Sequence, residues 1–328
     1  MRAAYYERAG AAREVLTIGD LPAPEAGPGE VRVRVAWSAV NPSDVKSRAA
    51  IRSKTLPFPR IVPHSDGAGV IDQVGAGVDP ARLGERVWTW NAAWMRPFGT
   101  AAEFVVLPAA QAVPLAEGID LAVGACLGIP ALTALHAVLV DGGVEGKSVL
   151  VSGGAGAVGH YAIQFARIHG ARQILATVSS EEKAALARAA GADLAVNYKT
   201  EDWVAKCMEA TGGAGLDRII EVDAAANVKS DLAALRPEGR IVVYGSGAPE
   251  IPVPFGPAIL KNIRFSFFIV YNLSAEDRAR AIRELSDLLA ANRLEHNIAV
   301  RLPLERIAEA HELVEQGAAV GKVLLAIG

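Results

Sequence analysis

In SVLVSGGAGAVGHYAIQFA an apolar run leads into Gly154-Ala155-Gly156-Ala157-Val158-Gly159 and then into an amphipathic stretch. A G-x-G-x-x-G pattern between a strand and a helix suits the binding of a dinucleotide pyrophosphate. The glycines allow a tight turn and a close backbone approach, while the helix start offers unpaired N–H groups and a positive dipole end. About 20 residues past such a loop an acid normally grips a free ribose hydroxyl. Here the second apolar run, ILATV, ends at Val178 and is followed by Ser179 and Ser180, with Lys183 close behind. Hydroxyl donors and a cation at that place favour a 2′-phosphate, which a carboxylate would repel. Tyr198, ending the next short apolar run, offers a further hydroxyl. The expected cofactor is therefore NADPH rather than NADH.

These residues need a scaffold, and the chain supplies one in two textures. Up to about residue 120 it reads as short strands broken by glycine and proline. EVRVRVAWSAV (30–40) alternates apolar and polar residues, GAGVIDQVGAGV (67–78) is glycine-punctuated, and GERVWTW and AEFVVLP follow. From about residue 124 helices and apolar strands alternate: LTALHAVLV, SVLVSG, AVGHYAIQFARIHG, QILATV, SEEKAALARAAG, LAVNY, DRIIEV, RIVVYG and IRFSFFIVY. That alternation predicts an α/β fold with a doubly wound parallel sheet. SAEDRARAIRELSDLLAANR then opens a long helix with a Ser-x-x-Asp start.

Composition narrows the class. The 328 residues suffice for two domains, and a formal net charge of −3 leaves no basic excess for nucleic acid. Two cysteines, Cys126 and Cys207, build neither a disulfide framework nor a four-thiolate zinc site. No signal-peptide-like start and no apolar run of membrane-spanning length is visible, the pattern of a cytoplasmic globular protein.

The segments AVNPSDVKSR, PHSDGAGVIDQVGAGV, LGIPALTALHAV, VLVSGGAGAVG, IIEVDAAAN, GRIVVYGSG and AEAHELVEQGAAVGKVLLAI occur in an order that resembles the zinc-independent quinone oxidoreductases. These form the ζ-crystallin-like branch of the medium-chain dehydrogenase/reductase superfamily. The resemblance implies a GroES-like catalytic domain (1–122 and 270–328) split around a Rossmann NADP-binding domain (123–269). Zinc-dependent relatives carry a cysteine ligand where this chain has Asn41 and a histidine ligand where it has Ser65. No cysteine lies between Val87 and Val105 either, so neither a catalytic nor a structural zinc is expected. His64, beside Ser65, is expected to be a structural or surface histidine rather than a ligand.

The same resemblance places Asn41 beside the nicotinamide as an amide donor to the acceptor. Lys46 departs from the tyrosine of many quinone reductases and matches some enone reductases; it would polarise a carbonyl, donate a proton or reach the cofactor phosphates. Thr133, Tyr244-Gly245-Ser246-Gly247, the backbone of Phe268-Ile269-Val270, and Lys322 are implied to line the cofactor. The implied activity is NADPH-dependent quinone reduction. The alternatives are an enone or 2-alkenal double-bond reductase and a non-catalytic NADPH-binding protein of crystallin or sensor type. An alcohol dehydrogenase is disfavoured by the replaced ligands. The apolar strand IRFSFFIVY implies a homodimer through its sheet edge, with a tetramer as the larger alternative.

Overall fold

The computed structural model describes residues 1–51 and 55–328, so residues 52–54 of the 46–62 loop expected to shape the acceptor pocket lie outside the described residues. The chain divides into two compact units, Met1–Ile129 with Ser286–Gly328, and Pro130–Leu285.

The second unit is built on a six-stranded parallel sheet. Its strands run Leu194–Asn197, Gln173–Val178, Ser148–Val151, Leu216–Glu221, Leu235–Val243, Arg264–Phe267 from edge to edge. In chain order this is 3-2-1-4-5-6, the doubly wound dinucleotide-binding arrangement, whose switch point lies at the carboxyl ends of the first and fourth strands. Ser148–Val151 is buried throughout, as a strand covered on both faces must be. Helices Ala157–Ile168, Glu181–Ala189 and Ala224–Ala234 follow the first, second and fourth strands. The helix Leu132–Leu139, which carries Thr133, is held at its C-terminal end by the buried Arg218. Its guanidinium donates to the carbonyls of Ala137, Val138, Val140 and Asp141.

The first unit centres on a seven-stranded sheet. The long strand Glu30–Val40 pairs antiparallel with Asp66–Val74, Phe104–Pro108 and Lys322–Ala326. Its burial alternates over residues 30–35, as the sequence pattern requires, and becomes continuous over Ser38–Val40. Gly69 lies where this strand is crossed closely: a Cβ there would meet the Arg34 carbonyl oxygen at 2.0 Å, so only glycine fits.

Three expectations are corrected here. The β-rich N-terminal region contains the helix Pro42–Arg48, so Lys46 is helical rather than part of a loop. The strand expected over IRFSFFIVY stops at Phe267, because the chain turns through Val270–Asn272 and Arg278 takes the Val270 and Tyr271 carbonyls. Residues 270–285, expected with the catalytic domain, cluster with the parallel-sheet unit. That Arg278 clamp and a contact between His169 Nε2 and Glu284 Oε1 at 2.5 Å tie the helix Ala275–Ala290 there. The helix starts at the expected Ser-x-x-Asp, with Ser274 Oγ accepting the Asp277 N–H at 3.0 Å.

His64 is fully buried at a positive φ of 80°, outside any strand. Its Nδ1 bonds Ser38 Oγ at 2.8 Å and its Nε2 faces His311 Nε2 at 2.9 Å. Burial lowers the pKa of both imidazoles, His311 to about 3. Unfolded histidines take up protons near pH 6.5, while these two stay neutral in the fold, so their contribution is present above that value and is lost as pH falls. Each such group costs about 1.4 kcal/mol per pH unit below about 6.5. Between pH 7 and pH 5, His311→Asn is therefore expected to lose less stability than the unaltered protein, by about 2 kcal/mol. Urea unfolding at the two pH values measures the difference, and parallel losses would remove the argument.

Candidate functional site

Sheet register assembles one polar cluster within the first unit. Val323 is opposite Val40, and Ala39 is opposite Asp66. Asn41, Lys322 and Asp66 consequently converge where three strands end or begin, although the latter two are 256 residues apart. All three are 0–3 % exposed. Lys322 Nζ donates to Asn41 Oδ1 and, at 3.2 Å, to Asp66 Oδ2; Asn41 Nδ2 donates to Asp66 Oδ2 at 2.8 Å. An ammonium only donates and a carboxylate only accepts, so the two ions leave the Asn41 amide a single orientation. Burial raises the Asp66 pKa, and the Lys322 charge and the Asn41 bond oppose that rise.

Asn41 also caps the helix Pro42–Arg48. Proline occupies the first turn, and the Asp44 carboxylate accepts the Asn41 backbone N–H at 2.8 Å. Burial pushes Asp44 up to about 7. Lys46, half-buried, stands later on the same helix.

This donor set does not fit zinc. The place of a ligand cysteine is an amide bound to an ammonium, the place of a ligand histidine is the hydroxyl of Ser65, and both His64 nitrogens are engaged elsewhere. Among the described residues, no group of three His, Cys, Asp or Glu side chains is arranged to hold a metal ion. Cys126 and Cys207 are both buried free thiols.

The parallel-sheet unit carries its own candidate residues at the carboxyl end of its sheet. The glycine loop runs from the strand Ser148–Val151 into the helix Ala157–Ile168, with Gly156 as its N-cap. A Cβ on Gly159 would approach the Gly153 carbonyl oxygen to 2.2 Å, so glycine is needed for the loop to lie against the helix. Ala157 and Val158 are the first helical residues, whose N–H groups have no intrahelical partner. Beyond the second strand Lys183 Nζ donates to Ser179 Oγ at 3.0 Å, and the Tyr198 N–H bonds the Val178 carbonyl, next to Ser179, at 3.0 Å. Tyr198 is 51 % exposed. Glu181, in the first turn of the helix Glu181–Ala189 with Glu182, is turned onto Arg188. The cradle thus fits a pyrophosphate, and its rim carries a cation.

The remaining expected residues are distributed as follows. Thr133 is buried in the first turn of its helix, and His136 from the same helix packs edge-on against Phe268, ring centroids 4.6 Å apart. Tyr244 lies 6.5 Å from Phe268 by the same measure. Gly245 is pressed on the Val222 carbonyl, Ser246 Oγ bonds the Ala248 carbonyl at 2.7 Å, and the Gly247 N–H bonds Asp223 Oδ1 at 2.7 Å. In the 268–270 segment the Phe268 N–H is taken by the Val243 carbonyl, the Val270 carbonyl by Arg278, and the Ile269 carbonyl by the Asn272 N–H. Lys322, expected at the cofactor, is bound to Asn41 and Asp66. Asp66 is the residue the sequence reading missed, although an acid opening the glycine-rich run DGAGVID was a signal in itself.

Comparison with known proteins agrees with these arrangements. Residues 27–117 match the alcohol dehydrogenase GroES-like domain, and residues 157–290 match the zinc-binding dehydrogenase family. The chain is 31 % identical over 317 residues to a quinone oxidoreductase of Homo sapiens, covering 95 % of this chain and 94 % of that one. It is 30 % identical over 309 residues to a 2-haloacrylate reductase of Burkholderia sp, covering 91 % of each. Among solved structures, an NAD-dependent alcohol dehydrogenase superposes with a TM-score of 0.91 at 32 % identity, covering 100 % of both chains. A mycobacterial protein in complex with NADPH gives 0.89 at 28 % identity, covering 99 % of this chain and 100 % of that one. The glycine cradle on a 3-2-1-4-5-6 sheet, the separate mainly antiparallel unit and relatives of this identity over nearly the whole length make the chain an oxidoreductase of the medium-chain dehydrogenase/reductase superfamily, in its quinone-oxidoreductase-like branch.

Proposed function

We propose that the protein is an NADPH-dependent quinone reductase that works without zinc. The observation that carries the cofactor half of this reading is the Lys183–Ser179 pair at the end of the second strand, with Glu181 turned away onto Arg188. An ammonium and hydroxyls there form charge-assisted bonds to a 2′-phosphate. Ala155, Gly156, Ala157 and Val158 would hold the pyrophosphate on loop and helix N–H groups, and Tyr244–Gly247 with Thr133 would flank the ring end. Bound NADPH supplies a hydride; the acceptor's oxygen also needs a proton or a donor. Asn41 supplies an amide N–H beyond the one given to Asp66, and Lys46, on the helix that Asn41 caps, supplies an ammonium for that oxygen.

Lys46 is also the observation that favours a second reading, reduction of an activated carbon–carbon double bond, in keeping with the 2-haloacrylate reductase among the relatives. NADPH oxidation followed with a quinone panel and an enone panel separates the two. Turnover with the quinones supports the first reading, and turnover confined to the enones replaces it with the second. Tight NADPH binding with turnover of neither would leave a binding protein. Elemental analysis is expected to find no stoichiometric zinc, and one zinc per chain would overturn the metal-free reading.

We also infer a homodimer. Arg264–Phe267 is the edge of the parallel sheet, and Phe255, Ile259, Leu260 and Phe267 nearby are 54–85 % exposed. An open edge flanked by apolar side chains is suited to a second copy.

A further inference from the structure

A chain of buried hydrogen bonds crosses the first unit and ends on the backbone of Asp66. Thr100 Oγ1 lies 2.6 Å from the Asp66 carbonyl oxygen, and Ser38 Oγ lies 2.8 Å from Thr100 Oγ1. His64 Nδ1 is 2.8 Å from Ser38 Oγ, and His311 Nε2 is 2.9 Å from His64 Nε2. All five residues are 0 % exposed. Ser38 and Asp66 come from the strands Glu30–Val40 and Asp66–Val74, His311 from the helix Ile307–Glu315, and His64 and Thr100 from connections. His64 keeps its positive φ because its surroundings hold it: its carbonyl accepts the Thr100 N–H at 2.9 Å, and a Cβ on Gly99 would meet that same oxygen at 2.2 Å.

Chemistry gives this chain one direction. A backbone carbonyl only accepts, and a hydroxyl has a single proton to donate. The Thr100 proton therefore goes to the Asp66 carbonyl, the Ser38 proton goes to Thr100 Oγ1, and Ser38 Oγ receives the proton of His64 Nδ1. A neutral His64 then has a bare Nε2, which accepts from His311 Nε2–H. The last atom, His311 Nδ1, is buried and has no hydrogen-bond partner. In this direction it is a lone pair; in the reverse direction it would be a buried N–H with no acceptor, the rarer defect. No carboxylate pairs with either ring among the described residues, and the cations facing them are Lys322 for His64 and Arg48 for His311.

We propose that His311, His64, Ser38 and Thr100 form a one-way chain of hydrogen bonds that positions Asp66 and, through it, the Asn41 amide. Each ring then has one fixed tautomer, His64 protonated on Nδ1 and His311 on Nε2. The four residues act through Asp66 rather than on the acceptor. Asp66 Oδ2 takes the Asn41 amide N–H at 2.8 Å and the Lys322 ammonium at 3.2 Å, so a backbone shift at Asp66 turns that amide. The positioning role rests on the part given to Asn41 above; the direction of the chain does not.

The test uses the full chain with Thr100→Val, which keeps the side chain's shape without its hydroxyl, and Thr100→Ser, which keeps the hydroxyl. Ser38→Ala breaks the same chain one link earlier and serves as a second interruption. Nitrogen–proton correlation spectra of the imidazoles in the unaltered protein should show His64 protonated on Nδ1 and His311 on Nε2, with His311→Asn assigning the rings. In Thr100→Val the Ser38 proton is left with His64 Nδ1 as its acceptor, so the opposite tautomers should appear in both rings. In Thr100→Val and Ser38→Ala, kcat is expected to fall about 10-fold, the low end of the cost of losing a bond that orients an active-site residue. KM for the acceptor and Kd for NADPH should stay within about 2-fold, because neither ligand meets the chain. Thr100→Ser should restore kcat to within about 3-fold. The opposite tautomers in the unaltered protein, or a mixture at either ring, overturn the chain. An undiminished kcat in either interrupted variant, or a loss that Thr100→Ser fails to recover, overturns the positioning role. If the unaltered protein turns over neither quinones nor enones, the part given to Asn41 and the positioning role fall together, while the spectra still decide on the direction of the chain.

Discussion

Lys322→Met is expected to destabilise the protein by about 3–5 kcal/mol, the usual cost of removing one partner of a buried ion pair. The cause is Asp66, which is 0 % exposed and would lose its counter-ion, keeping only neutral donors. Asp66→Asn combined with Lys322→Met removes both charges and should regain most of that loss. Rate should not return with stability. Without the ammonium on Oδ1 and the carboxylate on Nδ2 the Asn41 amide loses both charged groups that orient it, so kcat/KM is expected to remain lower by about 100-fold, typical of a lost preorganised donor. Chemical unfolding and steady-state kinetics on both variants check this. A double variant that regains rate together with stability would show that the cluster serves the fold alone.

Lys183→Glu is expected to weaken NADPH by about 100-fold, since a charge-assisted bond worth about 1.5–3 kcal/mol is replaced by repulsion. NADH has no phosphate at that place, so its affinity should change by less than about 3-fold. Lys183 is half-buried and its helix is capped through the Ser180 side chain, so the substitution leaves the helix start in place. Calorimetric titration with both dinucleotides reads the ratio. Equal loss of both would remove the phosphate site and with it the preference for NADPH.

The parallel-sheet unit was readable because its signals are local. SVLVSG, QILATV and DRIIEV are short apolar runs, the intervening helices have a 3.6-residue apolar spacing, and the glycine loop declares its own turn. Ser274-x-x-Asp277 likewise announced a helix start that the structure has. The helix Pro42–Arg48 carried an equally local signal, Asn41-Pro42-Ser43-Asp44, but its β-rich surroundings hid it. What no window could show is pairing across the chain. Nothing in DGAGVID or GKVLLAI says that one residue of each will meet, because only the register of two strands on Glu30–Val40 brings Asp66 to Lys322. Asp231 misleads in the opposite way, since an acid in a helix ordinarily faces water and this one does not.

The position of Lys322 has a consequence for biosynthesis. Asn41 and Asp66 leave the ribosome early, whereas the strand bearing Lys322 is made after nearly every other element and must enter between Glu30–Val40 and Ile298–Pro303. Until it does, a nascent chain has an acid at its centre with no counter-ion, which favours holding that acid protonated or hydrated. Catalytic competence and closure of this sheet are then a single late event, so that the appearance of turnover in a translation reaction would time the last step of folding.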